Sequence, residues 1–502
     1  MNDASRIVPH GLAMPQKLLR PHLYKIALYG FGSQPIVHRH LIDLAAQQKV
    51  PLTWCAILNT PHYRKIIGEV IPADEILDVF RALPRVPVGG DLSCLSRYPG
   101  SLAEDLGAQK WTLRRRSGRW LLDRAIDHYK LYKAFLVERG ATHLMMSTIE
   151  TPEEKIAAAA AQELGLGVIA PVDMRSITGT YFSTDCYETP PAYAAANAES
   201  RAKAAEFIDR FRKSPTLARA LPPEIAAITD RTTLPAYLPS LWRRAVRFAK
   251  IAMERPDIFD AELVRIALMA YGTPVRKIVR GTRKRRNARQ YDIADVESLP
   301  QRFVFYPLHL TPESAINTPA PYFVDQMRLI DLLRFAMPSD HLLAVKEHPT
   351  CLEFRPTSFM RDLRKLPGVV VVKPSIPATE VIKHAALTVT VTGTATLEAF
   401  LLGRPAMALG GGLPAAATSR VSTIASLRDE IRCAIDKPPS DEFVTEQIAK
   451  LMSVRYPFSF DQPHHPGEPM LRLHNVQGFL SALMDHLERE RSLQPAKTRS
   501  IA

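Results

Sequence analysis

The chain has 502 residues and a formal net charge of +14, from 65 lysines and arginines against 51 acidic residues. Its hydrophobic content of 46% and charged content of 23% are those of an ordinary globular protein, which excludes disordered and collagen-like classes. The sequence has no apolar run long enough to cross a bilayer and no signal-peptide pattern. Its five cysteines are scattered and include no CxxC pair, which predicts neither disulfides nor a zinc site. We therefore expect a protein of the reducing cytoplasm.

Residues 1–185 alternate short apolar strands with helices. The pattern predicts strands and helices in this order: strand 24–29, helix 36–48, strand 52–58, strand 143–146, helix 153–164 and strand 168–170. The stretch 84–120 is rich in proline, glycine and arginine, and its pattern does not distinguish helix from strand or loop. We interpret 1–185 as an N-terminal Rossmann-like domain.

Residues 186–300 predict a helical insert or linker that carries most of the excess positive charge. The stretch 201–300 alone holds 21 lysines and arginines against 11 acidic residues. Within it, 241–253 has the periodicity of an amphipathic helix, and 276–289 holds eight cations and no acid: Arg276, Lys277, Arg280, Arg283, Lys284, Arg285, Arg286 and Arg289.

Three interpretations of this basic segment compete. It is a solvated helical face, a docking surface that places 241–289 on an anionic membrane leaflet, or a nucleic-acid site. Nucleic acid is the least favoured partner, because no recognition fold or stacking aromatic motif accompanies the charge. The first two interpretations stay open.

Residues 301–435 give the clearest alternation. The predicted order is strand 303–306, helix 322–336, strand 342–345, helix 357–365, strand 369–372, helix 378–385, strand 387–391, helix 394–402, strand 405–409 and a helix near 420–434. Near-continuous apolar strands between helices are typical of a parallel sheet covered on both faces, which predicts a C-terminal Rossmann-like domain. Residues 436–502 predict a polar, helical tail. The expected fold class is α/β, with two Rossmann-like domains facing a cleft.

The loops that follow the five predicted strands of 301–435 share one kind of chemistry. In an open parallel sheet, ligands bind beyond the carboxyl ends of the strands, where helix N-termini and loop amides point. All five loops carry cationic, hydroxyl or glycine-rich residues suited to an anion: 307–313, 346–349, 373–375, 392–394 and 410–412. Their convergence predicts an anion site more strongly than any single loop does.

Thr392-Gly393-Thr394 opens the fourth helix of this region. The glycine allows close approach to a ligand, and the amides and hydroxyls suit a phosphate. Alternatively, one threonine is only an N-cap. Glu398 lies one helical turn after Thr394, where its carboxylate suits a ribose diol; otherwise it is a solvated helix glutamate, although its apolar neighbours favour partial burial.

His348 and Pro349 form a rigid turn after a strand, beside Lys346. A histidine there can donate to a phosphate or to a departing phosphate oxygen, or it is a structural loop residue. Glu347 either pairs with a cation or points into the sheet.

His309 and Glu313, in the first of the five loops, suggest a second polar pair. Glu313 is a candidate base or a contact for an acceptor, and the alternative for both residues is loop capping.

Ordered motifs over 300–412 resemble the capsule polysaccharide biosynthesis proteins, a family that includes the Kdo transferases of Gram-negative capsule assembly. The resemblance rests on Tyr306 to Ser314, Tyr322 to Gln326, Val345 to Pro349, Thr392 to Ala399 and Gly403-Arg404-Pro405. The N-terminal half fits the family's general layout through Ser147-Thr148-Ile149-Glu150 and Gly165-Leu166-Gly167. One departure is Thr311, where family members often have the glutamine of a Gln-Pro-Glu segment, so the acceptor side is expected to differ.

The resemblance implies a GT-B-like glycosyltransferase with a basic helical insert, in which 1–185 binds the acceptor and 301–435 binds the donor. The donor would be a nucleotide sugar, with a CMP-activated acidic sugar such as Kdo favoured, and the acceptor a glycan or lipid-linked glycan. His348-Pro349 would contact the nucleotide phosphate, and Thr392, Gly393, Thr394 and Glu398 the rest of the nucleotide. His309 and Gln326 would be further substrate contacts.

The mechanism that we expect needs neither metal nor cofactor beyond this co-substrate. Lys346, His348 and the helix start would stabilise the leaving phosphate, and no Asp-x-Asp pattern occurs in a suitable context. The base that deprotonates the acceptor hydroxyl would be Glu150, or secondly Glu313.

Two other functions fit the same residues. One is a non-catalytic capsule assembly or export protein on the same fold, and the other is a nucleotide-sugar epimerase of GT-B fold. We expect a cytoplasmic protein, peripheral at the inner face of the cell membrane if the basic segment docks there.

Overall fold

A computed structural model gives the structure of this chain. It describes residues 24–30, 34–59, 64–83, 89–108, 117–147, 149, 151–175, 177–215, 274–309, 319–348, 351–411, 426–460 and 469–493.

The first sheet has six strands. In chain order they are β1 Tyr24–Gly30, β2 Leu52–Leu58, β3 Ile76–Asp78, β4 His143–Met145, β5 Gly167–Asp173 and β6 Thr180–Ser183. They lie in the order β3-β2-β1-β4-β5-β6, and every pair is parallel except β5–β6. The helices that accompany them are α1 Gln34–Gln47, α2 Arg64–Gly68, α3 Val79–Ala82, α4 Leu102–Ala108, α5 Gly118–Glu138 and α6 Pro152–Glu163.

The second sheet has five strands, all parallel, in the order β11-β10-β7-β8-β9. These strands are β7 Phe303–Pro307, β8 Leu342–Lys346, β9 Val369–Val372, β10 Leu387–Thr390 and β11 Ala406–Ala408. Their helices are α9 Gln326–Ala336, α10 Thr357–Leu363, α11 Ala378–His384, α12 Thr394–Leu401 and α13 Leu427–Asp436. Along β7, Val304 and Tyr306 enter one apolar cluster while Phe303 and Phe305 enter another, so the sheet is buried on both faces as predicted.

In the described part of the chain, four further helices join the two sheets or follow them: α7 Ala198–Lys213, α8 Pro274–Asn287, α14 Asp441–Ser453 and α15 Leu473–Leu493. Helix α8 carries the basic run, whereas the predicted amphipathic segment 241–253 lies outside the described residues. Helix α15 packs on α1, and its Phe479 and Leu483 share an apolar cluster with Leu41 of α1 and Ile26 of β1. The C-terminal helix therefore returns to the first sheet. None of the helices in the described ranges is both long and apolar enough to cross a membrane.

The carboxyl edges of the two sheets face each other. Arg175 lies two residues after β5, Thr392 lies two residues after β10, and Arg175 Nη1 donates to the Thr392 carbonyl oxygen at 3.2 Å. Because each residue follows the carboxyl end of a parallel strand, this contact places the two ligand-binding edges opposite one another. The prediction of two Rossmann-like domains facing a cleft is confirmed.

His38 on α1 is expected to lower the stability of the folded protein. Its side chain is 1% exposed, and within the described part of the chain neither ring nitrogen has a hydrogen-bond partner. Burial lowers the pKa of His38 to about 4. Replacing His38 by leucine should raise the free energy of unfolding at pH 7 by about 1–3 kcal/mol, because a buried unpaired polar group is removed.

His38→Leu should also make the free energy of unfolding depend less on pH below neutrality. The unfolded chain takes up the proton near pH 6.5 and the folded chain near pH 4, so stability falls as the pH falls through this window. Urea denaturation at pH 7 and pH 5 measures the difference between the proteins. His40→Leu, at an exposed position of the same helix, is the control, and an equal response of both variants would contradict the prediction.

Candidate nucleotide site

The start of α12 is an open helix terminus in the second sheet. Gly393 is its N-cap residue, and no side chain makes a capping hydrogen bond there, so the alternative of a threonine N-cap is wrong. The first-turn amides of a helix have no acceptor within that helix and point outward from its end. A Cβ atom at Gly393 would lie 3.1 Å from His309 Cε1, so the glycine permits the close approach of two loops.

Glu398 lies inside this site. It is 3% exposed, and burial raises its pKa to about 7, although the hydrogen bond from the Thr394 side chain and the charge of Lys346 oppose the shift. The expectation of burial is therefore confirmed, and Glu398 is not a solvated surface residue. A carboxyl group that titrates near neutral pH changes from a hydrogen-bond donor to a pure acceptor within the physiological range.

The loop after β8 contains a buried ion pair. Glu347 is fully buried and accepts hydrogen bonds from Arg355 Nε at 2.7 Å and Arg355 Nη2 at 3.2 Å. Of the two alternatives for Glu347, the cation partner is the correct one. Lys346 is 6% exposed, and burial lowers its pKa.

His348 reaches solvent from this rigid loop. Its amide donates to Glu347 Oε1 at 2.8 Å, and its carbonyl oxygen accepts from the amide of Cys351 at 2.8 Å. Burial is the main cause of its lowered pKa, and the charges of Lys346 and Arg355 act in the same direction. The imidazole is therefore neutral at pH 7 until an anion beside it raises the pKa.

His309 and Gln326 are buried between these loops. Gln326 Oε1 accepts from the His309 amide at 2.7 Å, and Gln326 Nε2 donates to the His309 carbonyl oxygen at 3.0 Å. His309 Nε2 accepts from the amide of Val391 at 2.9 Å, and burial lowers the His309 pKa to about 3. Both residues tie the loop after β7 to its neighbours, and a substrate contact for either stays a prediction.

The structure brings Lys346, Thr394 and Glu398 together and places His348 in the adjoining loop. Three other predicted site residues, Glu150, Glu313 and Pro349, lie outside the described residues. Among the described residues, no group of three or more metal-ligating side chains occurs, and the metal-free mechanism stays a prediction.

Two arginines of this region were not identified from the sequence. Arg355 pairs with Glu347 and also donates to the His309 carbonyl oxygen at 2.9 Å, and Arg175 reaches the site from the first sheet. The rule that located the five loops of the second sheet would have found Arg175, since it too follows a parallel strand.

A polar cluster at the carboxyl edge of the first sheet was also missed. Asn59, directly after β2, donates to the Tyr29 hydroxyl of β1, which lies 3.3 Å from the Tyr132 hydroxyl of α5. One turn before Tyr132, His128 is 9% exposed and its Nδ1 lies 2.8 Å from the Arg124 carbonyl oxygen. This cluster gives the first sheet hydroxyl and imidazole groups at its carboxyl edge.

Replacing Glu398 by glutamine should remove a pH dependence of nucleotide binding. An ionised carboxylate accepts hydrogen bonds from a ribose diol better than the neutral acid does, so the predicted contact between Glu398 and a nucleotide would make CMP affinity rise between pH 6 and pH 8. Glutamine should weaken binding about tenfold at pH 8 and less at pH 6, because a charge-assisted hydrogen bond is lost.

Calorimetric titration of both proteins across this range measures the effect, and the phosphate of CMP titrates equally in both. Glu380→Gln, in an i,i+3 ion pair with Lys383, is the control. A variant that keeps the wild-type pH profile would show that Glu398 does not contact the ligand.

Comparison with protein families adds an independent observation. A family described as "Capsule polysaccharide biosynthesis protein" matches residues 261–415, about a third of the chain. This segment has the signature of the capsule polysaccharide biosynthesis family. The match confirms the resemblance, and it includes β8, β10 and the start of α12, which carry the candidate nucleotide site. No curated protein matches the chain.

Two solved structures show a distant likeness to this chain. A KpsC β-Kdo 2,7 transferase from Thermosulfurimonas dismutans is 11% identical, with 77% of this chain and 97% of that chain covered and a TM-score of 0.33. A UDP-GlcNAc 2-epimerase from Methanocaldococcus jannaschii is 13% identical, with 86% and 99% covered and a TM-score of 0.23. TM-scores this low do not establish a common fold, so the fold rests on the two sheets described above.

Proposed function

We propose that the protein is a glycosyltransferase of capsule or surface polysaccharide synthesis. It transfers a sugar from a nucleotide donor, with a CMP-activated acidic sugar such as Kdo favoured, to a glycan or lipid-linked acceptor. The main support for the proposal is that the carboxyl edges of the two sheets lie opposite each other, next to Lys346, His348 and the start of α12. The family match over the same segment supports it.

The residues of the site suit the departure of a nucleotide phosphate. Lys346 and the amides at the start of α12 supply fixed positive potential, which stabilises the charge that develops on the leaving oxygen. His348 is exposed and held by its backbone, so it can donate to that oxygen once the anion has raised its pKa.

The acceptor side of the proposal rests on the first sheet. A hydroxyl of the acceptor would attack the anomeric carbon after losing its proton to a base. Glu150 remains our first candidate for this base and Glu313 the second.

A panel of nucleotide sugars tests the proposal directly. The protein is incubated with CMP- and UDP-activated sugars, with and without a capsule-type glycan acceptor, and the products are separated by chromatography. Acceptor-dependent release of CMP that survives EDTA is the expected result. Isomerised donor without released nucleotide would indicate an epimerase, and unchanged donors throughout would indicate a non-catalytic protein.

We also propose that α8 docks on an anionic membrane leaflet, where a lipid-linked acceptor would lie. The helix is fixed to the second domain, because the Arg280 guanidinium lies 4.9 Å from the centre of the Phe354 ring and Arg283 donates to the Phe354 carbonyl oxygen. The side chains of 284–286 are exposed, and basic side chains are attracted to anionic lipid.

Flotation with phosphatidylserine vesicles tests this docking. The triple variant Lys284→Gln, Arg285→Gln and Arg286→Gln spares both contacts to Phe354 and should float less than the wild type. The control removes three exposed cations from α7 instead: Lys203, Arg210 and Lys213. Equal flotation of the two triple variants would argue against a specific docking surface.

A further inference from the structure

Arg175 has an unusual backbone as well as an unusual position. Its φ is +59° and that of its partner Glu188 is +58°, in the left-handed region that side chains other than glycine rarely adopt. Among the described residues, only one other non-glycine residue, Lys49, has a positive φ. Such conformations persist where the surroundings hold them, and they concentrate at functional sites.

The Arg175 guanidinium is held from two sides. Its Nη2 lies 2.7 Å from each carboxylate oxygen of Glu188, so both oxygens hold the same end of the guanidinium. Its Nη1 donates to the Thr392 carbonyl oxygen, so a residue of the first domain is bonded to the loop that begins α12.

The surroundings keep both residues in place. The Arg175 amide donates to Asp173 Oδ1 at 2.6 Å, and the Tyr181 hydroxyl donates to the Glu188 carbonyl oxygen. Beside Glu188, Tyr187 lies against Gly411, whose added Cβ atom would be 3.4 Å from the ring. The Arg175–Glu188 pair is therefore an ordered bridge between the domains.

Arg175 also lies close enough to His309 of the candidate nucleotide site to affect its pKa. Burial is the main cause of the low His309 pKa, and His348, Arg355 and Arg175 lower it further. Arg175 therefore lies near the loops after β7 and β10, although it belongs to the first domain.

We propose that Arg175 is a positioning residue of the nucleotide site. By holding the Thr392 carbonyl it fixes the start of α12 with its first-turn amides facing the cleft, and Glu188 fixes the guanidinium. A nucleotide then binds to a loop whose position depends on both domains. This inference rests on the proposed nucleotide-binding function.

The test compares Arg175→Ala, Arg175→Lys and the control Arg201→Ala. Arg201 forms a similar pair with Glu446, with Nε at 2.8 Å, but it is exposed on α7. Hydrogen exchange followed by mass spectrometry reports the order of a peptide spanning 391–397, and calorimetric titration reports affinity for CMP and UDP.

Arg175→Ala should speed exchange in 391–397 and weaken binding of the preferred nucleotide about tenfold, the effect of losing one charged hydrogen bond. Arg175→Lys should give an exchange rate and a nucleotide affinity between those of the wild type and Arg175→Ala. A single ammonium group cannot hold Glu188 and the Thr392 carbonyl at the same time in the way that the two ends of a guanidinium do. Arg201→Ala should change neither measurement.

Two results would overturn the inference. Unchanged exchange in 391–397 would show that Arg175 does not hold the loop, and faster exchange with unchanged affinity would show that the loop position does not matter for binding. If the wild type binds neither CMP nor UDP, the proposed nucleotide-binding function is wrong. The exchange rate of 391–397 in Arg175→Ala then still shows whether Arg175 holds this loop.

Discussion

Replacing His348 by alanine is expected to lower the rate of donor cleavage about a hundredfold, within the range that removal of a general acid or of one stabilising donor produces. The fold should not change, because His348 is bonded to the loop through its amide and carbonyl groups, which alanine keeps. The buried pair of Glu347 and Arg355 continues to shape the loop.

Steady-state kinetics with the active donor from the panel measure this loss. If His348 donates to the departing oxygen, kcat falls and KM for the donor changes little; if it only binds the phosphate of the ground state, KM rises instead. His384→Ala, an exposed histidine at the end of α11 in the same domain, is the control. If His348→Ala keeps the turnover and nucleotide affinity of the wild type, His348 has no role in the mechanism.

Most strands of the second sheet could be predicted to within one or two residues. Val369–Val372 coincides with its prediction, since a run of β-branched residues buried on both faces leaves little ambiguity. Helix α13 begins at Leu427, within the region expected from 420 to 434, although the approach to it lies outside the described residues. The edge strand β6 was missed, because Thr180–Ser183 is too short and mixed in polarity to give a pattern.

Contacts between distant parts of the chain could not be predicted from local patterns. Arg175 and Thr392 are 217 residues apart, and nothing near either residue specifies the other. The return of α15 to the first sheet was also missed, since its amphipathic sequence shows that one face is buried but not against what. Glu347 had two interpretations because its partner, Arg355, lies eight residues further on, across a turn that the sequence does not specify.

The candidate site was predictable to the extent that it follows the strand ends. Lys346, His348 and the start of α12 were found because parallel strands place their following loops at one edge. The partners of buried loop residues could not be assigned in the same way: the hydrogen bond from the amide of Val391 to His309 Nε2 joins residues of two different loops. Polarity in a loop therefore identified the edge of the sheet, but not which residues of that edge bond to one another.

Replacing Lys155 by methionine is expected to destabilise the protein by about 3–5 kcal/mol, because it leaves a buried carboxylate without its cation. Lys155 Nζ lies 2.8 Å from Asp105 Oδ2, and the two side chains are 2% and 1% exposed. The Tyr98 hydroxyl also donates to Asp105, but a neutral donor does not replace the missing charge. Urea denaturation measures the loss.

The pH dependence and a double variant separate the charge from the packing. Burial already raises the pKa of Asp105, and without Lys155 the folded carboxyl should bind a proton still more readily, so the variant should lose less stability at pH 5 than at pH 8. Asp105→Leu combined with Lys155→Met should recover most of the loss, since apolar groups of similar size replace the pair.

Lys133→Met is the matched control for Lys155→Met. Lys133 of α5 pairs with Glu163 of α6 at 2.6 Å, so this pair also involves α6, but both of its side chains are about one third exposed. An exposed pair contributes at most about 1 kcal/mol, because water replaces the lost partner. Equal losses in the two single variants would mean that the burial of Asp105 is not what makes Lys155 necessary for stability.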